Sequence, residues 1–226
     1  MVARFRKKHT FRVIAHRRSE ERIANRLASV TDRAALDEIE AITNPRIQHE
    51  YAARRKVRPE DLAGSDGNPM VIASFAYSGP SRFTDGSYGV YYAAFERRTA
   101  IAESAYHTAR FLADTNLPAT LVYKRVLTAD VKGVYDDVRA TPPADPIYDP
   151  NPQRYAAAQA YALARYAENV VDGIVYTSVR DPEGTALAAF RPRLIAHCKT
   201  AGFLAYAYDG ERIDEIFEIQ SITPSP

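Results

Sequence analysis

Four residues have types and settings that could do chemistry together: Arg82, Tyr92, Glu103 and Ser178. Arg82 leaves a turn of small residues in SRF, and its planar guanidinium can hold a phosphate through a fork of donors. Tyr92 lies in VYYAA, an apolar run that reads as a strand over 90–94. Glu103 lies in AIAESAY, and a carboxylate among small apolar residues must be exposed, paired or functional. Ser178 ends GIVYTS just before a turn, where a hydroxyl can face a cleft. Three of the four fall within Ser81–Phe111, which reads as one wall of a nucleotide pocket. Each also has an ordinary alternative: a solvated arginine, a core tyrosine, a surface glutamate.

Other chemistries find no support. His16, His107 and His197 are scattered, with no partner at ligand spacing, so no metal site is expected. The chain has no GxxxxGK[ST], no GxGxxG after a strand and no GxSxG. Its single cysteine, Cys198, excludes an internal disulfide and a cysteine-based metal cluster, and suits a reducing compartment. With 30 basic and 28 acidic residues among 226, the net charge of +2 gives no reason to expect nucleic acid or an anionic membrane as partner. No apolar run approaches the ~18 residues of a membrane span. The basic N-terminus MVARFRKKHTFRVIAHRR lacks the apolar core of a secretory signal, so a cytoplasmic protein is expected. The 15 tyrosines suit a polar pocket, since each combines an apolar ring with a hydroxyl.

The elements that must position these residues follow from periodicity. FRVI (11–14) reads as a short first strand carrying Arg12. Ser19 and Thr31 are plausible caps for two helices, the second closed by Pro45. The short apolar run MVIASF (70–75) reads as a buried strand. A helix is expected over 98–111, strands over 120–126 and 131–135, and a helix over 154–169 stopped near Gly173. Five prolines in TPPADPIYDPNP (141–152) require an ordered loop or lid. Further strands are read at 173–178 and 185–190. The tail folds back as a hairpin around Asp209–Gly210. Strands and helices do not alternate strictly, which favours a single α+β domain over a doubly wound sheet.

The segment SRF…YGVYYAA…TAIAE, followed downstream by DGIVYTSVRDPEGTALAAFRP, resembles the RES-domain family, named for its Arg, Glu and Ser. The resemblance runs from Phe11 to the tail, and it implies a single domain with a helical insert at about 18–60 after the first strand, which LDEIEAITNPR resembles. It implies a fold similar to that of ADP-ribosyltransferases and a toxin of a bacterial toxin–antitoxin pair. Such a toxin degrades NAD as substrate and is neutralised by an Xre-type antitoxin protein. It implies Glu103 and Arg82 as catalytic residues, and Arg12, Arg82, Tyr92, Ser178 and Gln159 as NAD-binding residues. One departure is YAAAQ (155–159), with alanines where the family often has Ser or Cys near the glutamine. On this reading Tyr92 stacks on the cationic nicotinamide ring, Arg82 and Arg12 clamp phosphate, and Glu103 faces the charge developing on the ribose. Water, inorganic phosphate or a protein side chain could receive the ADP-ribose. A non-catalytic NAD-binding module and a homo-oligomer through the tyrosine-rich helix 154–169 stay open.

Overall fold

The longest pairing joins β1 (Val2–Ala15) antiparallel to β3 (Thr120–Asp137), from Val2↔Asp136 to Ala15↔Lys124. The structure is a computed structural model that describes residues 1–16, 57–115 and 117–220. Among them are seven strands in the order β1-β2-β5-β4-β3-β6-β7, with β1 also paired to β3. β2 is Tyr91–Ala94, β4 Gly173–Thr177, β5 Thr185–Ala189, β6 Ile195–Tyr208 and β7 Ile213–Ile219. All pairings are antiparallel except β3 with β4, at Tyr135–Asp137 against Gly173–Val175. The β1–β3 and β1–β2 contacts bend β1, β2, β5, β4 and β3 into a closed ring, and β6 and β7 extend from β3. The helices are α1 (Pro59–Ala63), α2 (Pro69–Ala76), α3 (Arg97–Asp114) and α4 (Ala156–Glu168). This is the α+β arrangement expected.

Strand alternation sorts the side chains into an inner and an outer set. Tyr91, Leu127, Tyr135, Val175 and Leu187 point into the ring, where Val71 and Phe75 of α2 close its end. Each such side chain contributes about 1.5–3 kcal/mol by leaving water. Outside the ring, Phe83, Ile174, Tyr176 and Ala188 pack under α4. Ile101 and Ala105 of α3 pack on Val126, Leu204 and Tyr206. The outer face of the ring, between α3 and the edge of α4, therefore carries a layer the two helices only partly cover.

Several expectations need correction. MVIASF is helix α2, not a strand. Asn68 caps it, its side chain accepting the Met70 amide at 3.0 Å, and Pro69 occupies the first helical turn. Those two local signals outweigh a short apolar run that suits either element. The first strand spans fourteen residues, because backbone pairing with β3 continues beyond the apolar FRVI into the basic stretch before it. Strands 120–126 and 131–135 are one strand, carried through Gly133 at φ +126°. Helix α4 stops at Asn169, which adopts the left-handed conformation at φ 56°. Gly173 instead lies inside β4, where a Cβ would sit 2.1 Å from the Ala188 carbonyl oxygen. The two helices expected between Ser19 and Pro45, and most of the insert, lie outside the described residues. No helix among those described is long and apolar enough to cross a membrane.

Candidate active site

A cleft of about 720 Å3 opens on the outer face of the ring, a size within the ~300–1,000 Å3 typical of ligand pockets. One wall is the Glu103–Leu112 side of α3. The floor is β1, β2 and β3, and the far end is closed by Pro152, Tyr155 and Gln159. The helix is held against the strands at its start. Glu96 accepts the Thr185 amide at 2.9 Å, and the Thr99 hydroxyl donates to Asp181 at 2.7 Å. Gly184 permits this approach, since a Cβ there would meet Thr99 Oγ1 at 2.1 Å. The turn between β4 and β5 is thereby fixed to the first turn of α3, one helical turn before Glu103.

That docking joins two residues 75 positions apart. The buried Ser178 hydroxyl donates to Glu103 Oε1 at 2.6 Å. The same hydroxyl oxygen accepts the amides of Arg180 and Asp181, each at 3.1 Å. With both of its acceptor positions filled, the hydroxyl has its proton committed to the carboxylate. Glu103 Oε1 is thus held, and Oε2 faces the cleft with His107 Nε2 at 3.8 Å. The family resemblance implied a contact between Ser178 and NAD. The structure places it against Glu103.

Arg82, Tyr92 and Gln159 meet around the Ser81–Phe83 turn. The Tyr92 hydroxyl shares a hydrogen bond with Ser81 Oγ and accepts the Phe83 amide, each at 2.9 Å. Gln159 donates to the Ser81 carbonyl at 3.0 Å. Burial pushes the Tyr92 phenol up to about 12, so it stays protonated. Arg82 is 8% exposed. Its Nη1 donates to the Ile147 carbonyl at 2.8 Å, its Nη2 to the Tyr155 hydroxyl at 3.2 Å, and its guanidinium stacks 4.5 Å from the Tyr155 ring. Arg82 therefore ties the proline-rich stretch to the cleft. That stretch is ordered, with Asp145 capping a 3-10 turn at Pro146–Tyr148 and Pro152 bordering the cleft.

Arg12 alternates away from Phe11 and Val13, its cleft-facing neighbours. Its guanidinium stacks 5.0 Å from the Tyr91 ring, inside the ring of strands, and Nη1 donates to the Tyr92 carbonyl at 2.7 Å. Burial pushes its pKa down, partly opposed by Tyr91, and Nε has no partner among the described residues. It borders the cleft and braces β1 against β2.

A family model described as RES domain matches residues 58–209, which include Arg82, Tyr92, Glu103, Gln159 and Ser178. The chain belongs to the RES domain family. The chain is also similar to the uncharacterized protein y4oC of Sinorhizobium fredii (strain NBRC 101917 / NGR234), with 26% identity over 212 residues. The alignment covers 92% of this chain and 86% of that relative. Arg12 lies before the segment matched by the RES domain model, and the bracing role just described is independent of that match.

Sequence reasoning missed Tyr155, Lys124 and His107 as wall residues of the RES cleft. His107 was legible: it stands four residues after Glu103, one turn along the same helix face. Its ring is more than half exposed, and partial desolvation on its inner side pushes its pKa down. Glu103 opposes this, while Arg180, Arg82 and Arg110 add to it. The ring is thus neutral at pH 7. In Glu103→Gln the opposing charge is gone, so the His107 titration followed by NMR is expected to move further down. An upward move would contradict the pairing.

Proposed function

We propose that this RES domain breaks the N-glycosidic bond of NAD. The observation that carries the reading is the Glu103 carboxylate, pinned through one oxygen by Ser178 and presenting the other to a cleft walled by aromatic and cationic side chains. Nicotinamide leaves with the electron pair of the C1′–N bond. The ribose carbon gains oxocarbenium character, and a fixed carboxylate facing that charge stabilises the transition state more than the ground state. Tyr92, held at its hydroxyl, offers a ring face to the cationic nicotinamide. Arg82, buried, and Arg12, half-buried, place positive charge beside the cleft, which favours a pyrophosphate. Gln159 holds the turn that carries Arg82. No metal enters this scheme.

An acceptor O–H then bonds to C1′ and gives up its proton. Water yields ADP-ribose, inorganic phosphate yields ADP-ribose 1-phosphate, and a protein side-chain hydroxyl yields an ADP-ribosylated target. In the cytoplasm the first two outcomes would deplete NAD and arrest growth. We propose that role for the chain, as a toxin masked by a cognate antitoxin of the Xre type. The test is incubation of the full chain with NAD, with and without phosphate and with cell extract, the products being resolved by mass. Free nicotinamide is expected, and the second product names the acceptor. NAD left intact in every arm ends the enzymatic reading and leaves a nucleotide-binding module.

A further inference from the structure

Among the described residues, Lys124 is the cleft cation with neither an ion pair nor a hydrogen bond. It is 8% exposed and lies on β3 opposite Ala15 of β1, on the wall that also carries Val122. Among the described residues its ammonium makes no ion pair and no hydrogen bond; it lies over the face of Tyr206, with Nζ 5.6 Å from the ring centroid. Burying an ammonium in this way is costly unless an anion pairs with it. The two arginines nearest the site are engaged by the protein itself: buried Arg82 by Ile147 and Tyr155, half-buried Arg12 by Tyr91 and the Tyr92 carbonyl. Arg110 stands 3.8 Å from Asp114.

The cleft therefore has two chemically distinct parts. Glu103 and Tyr92 suit a cationic ring and a developing positive charge. Lys124, in a cleft that Phe11 and Val13 of β1 and Thr108 and Phe111 of α3 also line, suits an anion attached to an apolar or aromatic body. We propose that Lys124 is the anion-binding residue of this cleft and takes a phosphoryl group, presented by a nucleotide or as inorganic phosphate. For the nucleotide source the inference rests on the NAD reading above. For the anion itself it rests on the unpaired buried cation alone.

The experiment is isothermal titration of ADP and, separately, of inorganic phosphate into the full chain and into Lys124→Met and Lys124→Arg. Loss of a charge-assisted contact is expected to weaken binding about ten- to hundredfold in Lys124→Met, with partial recovery in Lys124→Arg. Methionine fits the methylene stem and removes a buried unpaired charge, so the ligand-free variant is expected to melt no lower than the parent. Weakened binding then reads as a lost contact and not as misfolding. A loss confined to ADP assigns the site to the nucleotide, and a loss confined to phosphate assigns it to the free acceptor. Unchanged affinity for both overturns the proposal, as does a parent chain that binds neither. NAD turnover in the same samples separates the two ideas. Lys124-dependent ADP binding without NAD loss sinks the cleavage reading alone. NAD cleavage with anion binding indifferent to Lys124 sinks the lysine alone.

Discussion

Glu103→Gln is expected to lower nicotinamide release by about 10²–10³-fold, the range seen when one preorganised electrostatic group facing transition-state charge is removed. Glutamine is the informative replacement. Its amide oxygen can still accept the Ser178 hydroxyl, which reaches Glu103 Oε1 at 2.6 Å in the parent, so the docking of α3 on the β4–β5 turn survives. What is lost is the negative charge at Oε2. Affinity for NAD should change far less than turnover, because the charge matters most when the ribose becomes cationic. The measurement is kcat and KM for nicotinamide release, with a melting curve to show that the fold is kept. Parental kcat in the Glu103→Gln variant would remove Glu103 from the mechanism. Ser178→Ala acts on the same carboxylate at one remove: it should lower kcat less than Glu103→Gln does, at similar KM, because Oε1 loses the donor that orients it.

Arg82→Met is expected to cost about 3 kcal/mol of stability, made up of an orphaned carbonyl at Ile147, a lost partner at Tyr155 and a lost cation–π contact. In a domain of this size that is a fall in melting temperature of about 6–12 °C. The number discriminates between two roles. A guanidinium free to clamp phosphate could be removed with little change in stability and a large rise in KM. A guanidinium that braces Pro146–Tyr148 against the cleft cannot. Calorimetry of the ligand-free variant decides, and an unchanged melting temperature would return Arg82 to the role of a free phosphate clamp. Tyr155→Phe should show a fraction of the same loss, since it keeps the stacked ring and removes only the hydroxyl acceptor.

Much of the site was legible from local pattern. The strand with Tyr92, the helix with Glu103 and the strand that ends at Ser178 are each announced by residues within a few positions of themselves. They appear within two or three residues of where they were read. The short, mostly apolar run at 70–75 suits strand and helix equally, and there the deciding signals were the capping Asn68 and Pro69 just upstream. The proline-rich stretch could be read as ordered and non-helical, but nothing in it says that Arg82 would hold it.

The amino-acid sequence by itself determined the local conformations, the small residues at close approaches such as Gly173 and Gly184, and the family to which the chain belongs. These depend on neighbours along the chain or on residue types in a fixed order. Only the tertiary structure decided which atoms face one another. Strand register turned Arg12 into the ring of strands and left Lys124 on the cleft wall, because a side chain's face is set by pairing and alternates at every residue. Docking of α3 on the β4–β5 turn brought Ser178 to Glu103 across 75 positions. That contact depends on how the ring closes and on the missing Cβ of Gly184, and neither is a property of the residues adjacent to Ser178 or Glu103.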